Sequence, residues 1–328
     1  MIKRLLALMV VAAAAVGYIA YDLNTHHDPG PRQVFVDIPP GTSTAKIASM
    51  LAEAGVIRSG WVFKAARVLN PRAKLQAGEY GFDRPLSAWA VFKKIARGDI
   101  FYYELVIPEG SNIFDVAAAI EELGLMKSAA FVKEATDPAL IRDLDPQAPT
   151  LEGYLFPATY RVTRHTTAKQ IAQQMTSQFR KVWKEIAKPG DDVHHATTLA
   201  SLVEKETADP QERPTIAAVY TNRLRLGMKL DCDPTTIYAA ILEGRYKGTI
   251  YRSNLNSTNP YNTYQNQGLP PGPIANPGLQ SLKAALEPAK ADYLYFVAKP
   301  GGSGSHNFSR TIAEHNLAVQ AYRRGAPK

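Results

Sequence analysis

The segment ATTLASLVEKETADP (196–210) places two glutamates at the end of an apolar helical run. With Leu199 as reference and about 100° per residue, Val203 falls at about 40° and Leu202 at about −60°. Glu206 falls at about −20°, inside the apolar stripe, whereas Glu204 at about 140° and Lys205 at about 240° fall on the polar side. An inward carboxyl is costly unless hydrogen-bonded or protonated, and burial raises its pKa. A general acid that must keep its proton near neutral pH needs that setting. A second reading stays open: Asp209-Pro210 stops the helix just beyond, which would leave Glu206 in a solvated last turn. Glu204 reads as a surface residue.

Other groups have weaker patterns. Asp233 before Pro234 reads as a helix N-cap with proline at N1. Asp231-Cys232-Asp233 lacks the remaining ligands of a metal loop, and adjacent His26 and His27 lack any metal-ligand spacing. Gly302-Ser303-Gly304-Ser305 has the wrong glycine spacing for a nucleophile elbow and reads as a hairpin loop. His306, just beyond it, is either a hydrogen-bonded strand histidine or a group reaching a site at the sheet end. Tyr261, Asn262 and Tyr264 precede GLPPGPIANPG (268–278), which reads either as a stiff connector or as a cleft wall. In a cleft, aromatic faces and amides would meet sugar rings.

The elements that must position these groups follow from periodicity. Long helical patterns cover 168–187 and 196–208, and a strand covers 293–297. Upstream, Ile38-Pro39, Gly41, Ala48, Glu53, Gly55 and Ser59 recur as Ile107-Pro108, Gly110, Ala117, Glu122, Gly124 and Ser128. Each copy is a β-rich run ending at Ile-Pro-x-Gly, then Thr42 or Ser111 at the cap position, then an amphipathic helix stopped by Gly55 or Gly124. Residues 76–80 read as a strand closing the first module, and 86–97 as a helix stopped at Gly98. The repeat is either a bare scaffold or a glycan-binding module resembling LysM, which also uses compact βααβ units.

Lys3 and Arg4 precede an uncharged run of about 17 residues, the short end of the range that spans a ~30 Å hydrocarbon core. Basic residues before such a run stay cytoplasmic, which sends the rest of the chain across the membrane. A cleaved signal peptide is the competing reading, with Ala12 to Ala15 as the small residues. Residues 23–33, broken by Pro29, Gly30 and Pro31, read as a linker. Of the 328 residues, 45% are hydrophobic and 21% charged, so most of the chain can build cores. A lone cysteine, Cys232, excludes an internal disulfide framework or a CxxC site. The net charge of +8 comes with no nucleic-acid-binding motif, and no nucleic acid is expected as partner.

The motifs EGYLFPATY (152–160), ASLVEKET (200–207), NRLRLGMKLDCDPTTIY (222–238), YNTY (261–264), GLPPGPIANPG and YLYFVA (293–298) together resemble the YceG-like family, the endolytic murein transglycosylases. The resemblance covers nearly the whole chain. It implies an α+β fold: an N-terminal transmembrane helix (1–22), a linker (23–33), a LysM-like βααβ module (34–100) and a larger α+β catalytic domain (101–328), with the second repeat at 101–150. It implies an inner-membrane, single-pass enzyme with its catalytic domain in the periplasm, cutting peptidoglycan glycan strands without a cofactor or metal. Peptidoglycan synthases are implied as partners. The second glutamate of VEKET, Glu206, is implied as the catalytic residue. Glu152, Asn222, Tyr261, Asn262, Tyr264 and His306 are expected around the substrate, with Glu152 also open to a structural hydrogen bond at the Gly153 turn. The rival readings are a non-catalytic wall-binding scaffold for synthases and a wall hydrolase that uses water.

Overall fold

The computed structural model describes residues 2–30, 32–301 and 304–325. Pro31, Gly302 and Ser303, named above, lie outside them. The backbone divides into two units. One comprises residues up to Tyr103 together with Arg161–His165, and the other comprises Glu104–Tyr160 and the residues from Thr166 onward.

The first unit opens with α1 (Ile2–Asn24), which is long and apolar enough to cross a membrane. Then come β1 (His26–His27), β2 (Val34–Ile38), α2 (Thr44–Glu53), α3 (Gly60–Leu69), β3 (Gly78–Phe82), β4 (Leu86–Ser87) and α4 (Ala88–Arg97). The segment expected as a free linker is partly built in: Leu23 joins the core, and His26 and His27 pair antiparallel with Ser87 and Leu86. The last turns of α1 are docked too, with Tyr18 stacked on Trp61 at 6.1 Å and buried Asp22 at 3.9 Å from Arg58. β2 and β3 run antiparallel from Val34 opposite Phe82 to Ile38 opposite Gly78. Ile47, Leu51, Phe63, Phe92 and Ile95 bury against that ladder, as the helical spacing requires.

The chain continues, in the second unit except for Tyr103 and residues 161–162, with β5 (Tyr103–Val106), α5 (Ile113–Glu122), α6 (Ser128–Ala135), β6 (Thr159–Val162), α7 (Ala168–Ile186), α8 (Val193–Glu206), α9 (Arg213–Arg225), α10 (Asp233–Leu242), α11 (Arg252–Leu255), α12 (Leu279–Leu286), β7 (Tyr295–Ala298), β8 (His306–Ser309) and α13 (Ile312–Gly325). β5 pairs with β6, and β7 with β8 as an antiparallel hairpin. The strand–helix–helix order β2-α2-α3 thus recurs as β5-α5-α6. Gly55 and Gly124 follow the last helical turns with φ of 71° and 69°, as C′ glycines do.

The caps differ by one residue from expectation. Ser43 and Asn112 cap α2 and α5, Asn112 in a reciprocal capping box with Asp115. Thr42 and Ser111 instead donate their hydroxyls to the carbonyls of Pro39 and Pro108 at 2.7 and 2.8 Å. The Ile-Pro-x-Gly turn consumes the first hydroxyl to close itself, so the next residue caps the helix.

α8 lies at the centre of the second unit, in contact with α9, α10 and α12. Leu199, Leu202 and Val203 are buried, and so are Thr197, Thr198, Ala200 and Ser201 on the other faces. The segment 268–278 is an internal pin. The Asn276 Oδ1 accepts the N–H groups of Gly153 and Leu155 at 2.9 Å each, and the Ile274 N–H donates to Ser201 Oγ at 3.0 Å. Gly153 is required where it stands, because at φ 87° a side chain there would collide with the Pro273 ring.

Candidate active site

Glu206 is the last residue of α8, and Thr207 leaves the helix in extended backbone. Its side chain turns inward even in this last turn. The Tyr220 hydroxyl, on α9, donates to Glu206 Oε1 at 2.6 Å, and the Cys232 thiol, just before α10, donates to the same oxygen at 3.2 Å. Burial holds the Glu206 carboxyl above the usual carboxylate range, and the negative charge of Asp233 pushes the same way. The two donors and His306 pull back. Burial also pushes Tyr220 and Cys232 well up, so both keep their protons and act as donors.

The carboxyl opens on a cleft of about 630 Å³ that Tyr220, Arg223, Asp231, Asp233, Tyr264, Tyr295 and Phe296 also line, with α13 along one side. Arg223 lies over the Tyr295 ring at 5.1 Å, and Tyr295 stacks on His315 of α13 at 5.3 Å. Asp233 is not the expected N-cap. Cys232 holds that position without a side-chain cap bond, while Asp233 is the first helical residue and accepts the Tyr264 hydroxyl at 2.7 Å. The cap is displaced because the Cys232 carbonyl already accepts Thr235 Oγ1 at 2.6 Å and its N–H donates to Thr263 Oγ1 at 3.0 Å.

Of the sequence-predicted site residues, only Tyr264 joins Glu206 on this cleft. Glu152 is 1% exposed and serves the interior. Its oxygens accept the Ile113 N–H and Tyr238 hydroxyl at 3.0 Å each and the Asn276 amide at 3.1 Å. Burial outweighs these donors and pushes its pKa up to about 8. Asn222 donates to the carbonyls of Ala291 and Tyr293 at 2.9 and 3.1 Å, tying α9 to the approach of β7. Tyr261 packs on Tyr238 at 5.0 Å, and burial pushes its hydroxyl up to about 12. Asn262 is fully buried, bonding the carbonyls of Leu255 and Ser257 and accepting Thr236 Oγ1. His306 is a hydrogen-bonded strand histidine: its Nδ1 and its N–H engage the two oxygens of Glu212 at 2.7 and 2.8 Å. Its ring meets the edge of Phe296, one residue from the cleft.

Glu204 overturns the expectation of a surface residue. Its side chain is 5% exposed, paired with Arg213 at 2.8 Å and accepting the Gly278 N–H at 2.9 Å. The helix wheel marks its face as polar correctly, but α9 and the α12 N-terminus cover that face. Sequence reasoning missed Tyr220, Arg223, Cys232 and Asp233 as site residues. Tyr220 ends the buried apolar run Ile216–Tyr220 of α9 and so resembles core, and only the DCDP cluster offered a signal. Among the described residues, no group of three or more His, Cys, Asp or Glu is arranged to hold a metal ion.

Comparison with known proteins bears on this geometry. An endolytic murein transglycosylase from Bacillus subtilis is 35% identical over 309 residues, spanning 88% of this chain and 84% of that protein. One of the same name from Streptococcus pneumoniae is 29% identical over 325 residues, spanning 87% of this chain and 58% of its own length. The 2.6 Å crystal structure of a yceG-like protein from Listeria monocytogenes matches with a TM-score of 0.58 at 34% identity, covering 88% of this chain and 99% of that one. The model of the YceG-like family matches residues 36–321. With nearly all of the second unit and most of the first inside that match, the chain belongs to the YceG-like family.

Proposed function

We propose that this protein is an endolytic murein transglycosylase in which Glu206 acts first as general acid and then as base. The observation that carries this reading is one carboxyl, held above its ordinary pKa by burial, opening on a cleft with both internal donors on a single oxygen. The reaction balances without water. Glu206 gives its proton to the glycosidic oxygen between N-acetylmuramic acid and N-acetylglucosamine, and the C1–O bond breaks through an oxocarbenium-like state. The muramic acid 6-hydroxyl then attacks C1, its proton passes to the Glu206 carboxylate, and a 1,6-anhydro end forms. One carboxylate suffices because the nucleophile is intramolecular, whereas an ordinary glycosidase needs a second for a nucleophile or an activated water.

The remaining features fit the same role. α1 would anchor the protein in the inner membrane, with both units on the periplasmic side, near nascent glycan and the synthases that make it. The β2-α2-α3-β3 unit, with its antiparallel strand pair, would hold glycan as a LysM-like module does. Asp233, on the same cleft, supports a second reading in which it activates water and the enzyme is a hydrolase. The products separate the two: 1,6-anhydro ends for the transglycosylase, reducing ends for the hydrolase.

The test is product analysis by mass spectrometry on uncrosslinked glycan strands. Glu206→Gln should keep the fold and lower anhydro-muropeptide release about 10²–10⁴-fold. Undiminished release would reassign the acid.

A further inference from the structure

The carboxyl of Glu206 has two oxygens with unlike surroundings. Oε1 receives an O–H from Tyr220 and an S–H from Cys232, while Oε2 receives neither. We propose that Tyr220 and Cys232 are positioning residues that hold the Glu206 proton on Oε2, the oxygen left to meet the substrate. This rests on Glu206 being the acid. An oxygen already facing two donors has its lone pairs filled, and a proton placed there would point at other protons. Once Oε2 has given its proton away, the same two donors stabilise the carboxylate, and the group stays in place to accept a proton at Oε2.

Both donors are themselves held in place. Tyr220 packs edge-on against Phe296 at 5.9 Å, and the Cys232 backbone is fixed on both sides by Thr263 and Thr235. They come from two elements, α9 and the turn before α10, and converge on the end of a third. The partners are neutral groups, which support the charged carboxyl without committing it to its charge. The charged and titratable groups sharing this environment are Asp233 of α10, which disfavours the carboxylate, His306 of β8, which favours it, and, on the cleft wall, Arg223 of α9, Asp231 just before α10, and His315 and Arg323 of α13.

The experiment is a pH titration of the Glu206 carboxyl carbon by NMR in the full chain carrying ¹³C-labelled glutamate, for the native protein, Tyr220→Phe, Cys232→Ala and Cys232→Ser. Glu206→Gln identifies the resonance. Losing the Tyr220 donor should move the midpoint up by about one pH unit, since a hydrogen bond to a charged group is of that size. Cys232→Ala should move it less in the same direction, and Cys232→Ser, which restores a donor, should return it towards the native value. The alkaline limb of anhydro-end release should follow the same order, with about a tenfold rate loss in Tyr220→Phe. Midpoints unchanged in both Tyr220→Phe and Cys232→Ala would overturn the assignment, even with a lowered rate. If the variants show these shifts while the native protein yields no anhydro ends, the proton placement stands and the transglycosylase reading falls instead.

Discussion

Glu204 and Glu206 sit two residues apart on one helix and meet opposite fates. Glu204 is paired with a guanidinium, Glu206 with a hydroxyl and a thiol. A cationic partner commits a carboxylate to its charge, whereas neutral donors leave the proton free to move. Activity should therefore fall as pH rises through the elevated pKa of Glu206, with the alkaline limb of kcat/KM above 4.5, the ordinary value for a glutamate. A limb at or below that value would contradict the burial argument. Glu152 makes a separate prediction about stability. Its carboxyl is pushed from 4.5 to about 8, so between those values the folded state keeps a proton that the unfolded chain has lost. Stability should decline as pH rises across that window, by on the order of several kcal/mol. Glu152→Gln should be less stable at low pH yet flatter across pH 5 to 9, as read from urea midpoints.

Among the elements, α8 is the hub, and the Glu204–Arg213 pair locks it to α9 and to the start of α12. The Arg213 side chain is 7% exposed and its second carboxylate, half-exposed Glu109, lies farther off at 3.5 Å, so removing Glu204 leaves a buried cation poorly paired. Glu204→Ala should cost about 3–5 kcal/mol in chemical denaturation. The double variant Glu204→Met with Arg213→Met should cost less than that single change, because no charge is left unpaired. Equal losses would mean that packing, not charge, dominates there. The interior polar pins act at this scale too. Asn276 ties the 268–278 segment to the Gly153 turn, and Asn262 ties the YNTY turn to α11. These residues hold the scaffold of the cleft at a distance from the carboxyl.

For the whole molecule, the consequence of the first unit is that α1 ends inside a folded core. Leu23 is buried there, and Ile19 packs against the same cluster. A chain lacking residues 1–17 should leave the membrane fraction and keep the first unit's unfolding midpoint. Leu23→Ala should lower that midpoint by about 2 kcal/mol or more, the cost of a core cavity. A Leu23→Ala protein as stable as its parent would show that the end of α1 is loosely held.

Local patterns settled the helices at 168–187 and 196–208, the glycine stops and the strand–helix repeat, and they put Glu206 in the apolar stripe while leaving a solvated last turn open. Each follows from spacing along a few turns, where backbone geometry alone decides which face a residue shares. The family motifs are legible in the same way. What neighbours cover a face is a long-range matter, and only the fold decided it: Glu204 points away from the apolar stripe, yet α9 and α12 close over it. Likewise Tyr220 and Cys232 meet Glu206 only because α9 and the turn before α10 converge on the end of α8. Glu152, Asn222 and Asn262 carry groups suited to a ligand but spend them on backbone partners brought from distant segments, because a buried amide or carboxyl must be satisfied wherever the chain packs.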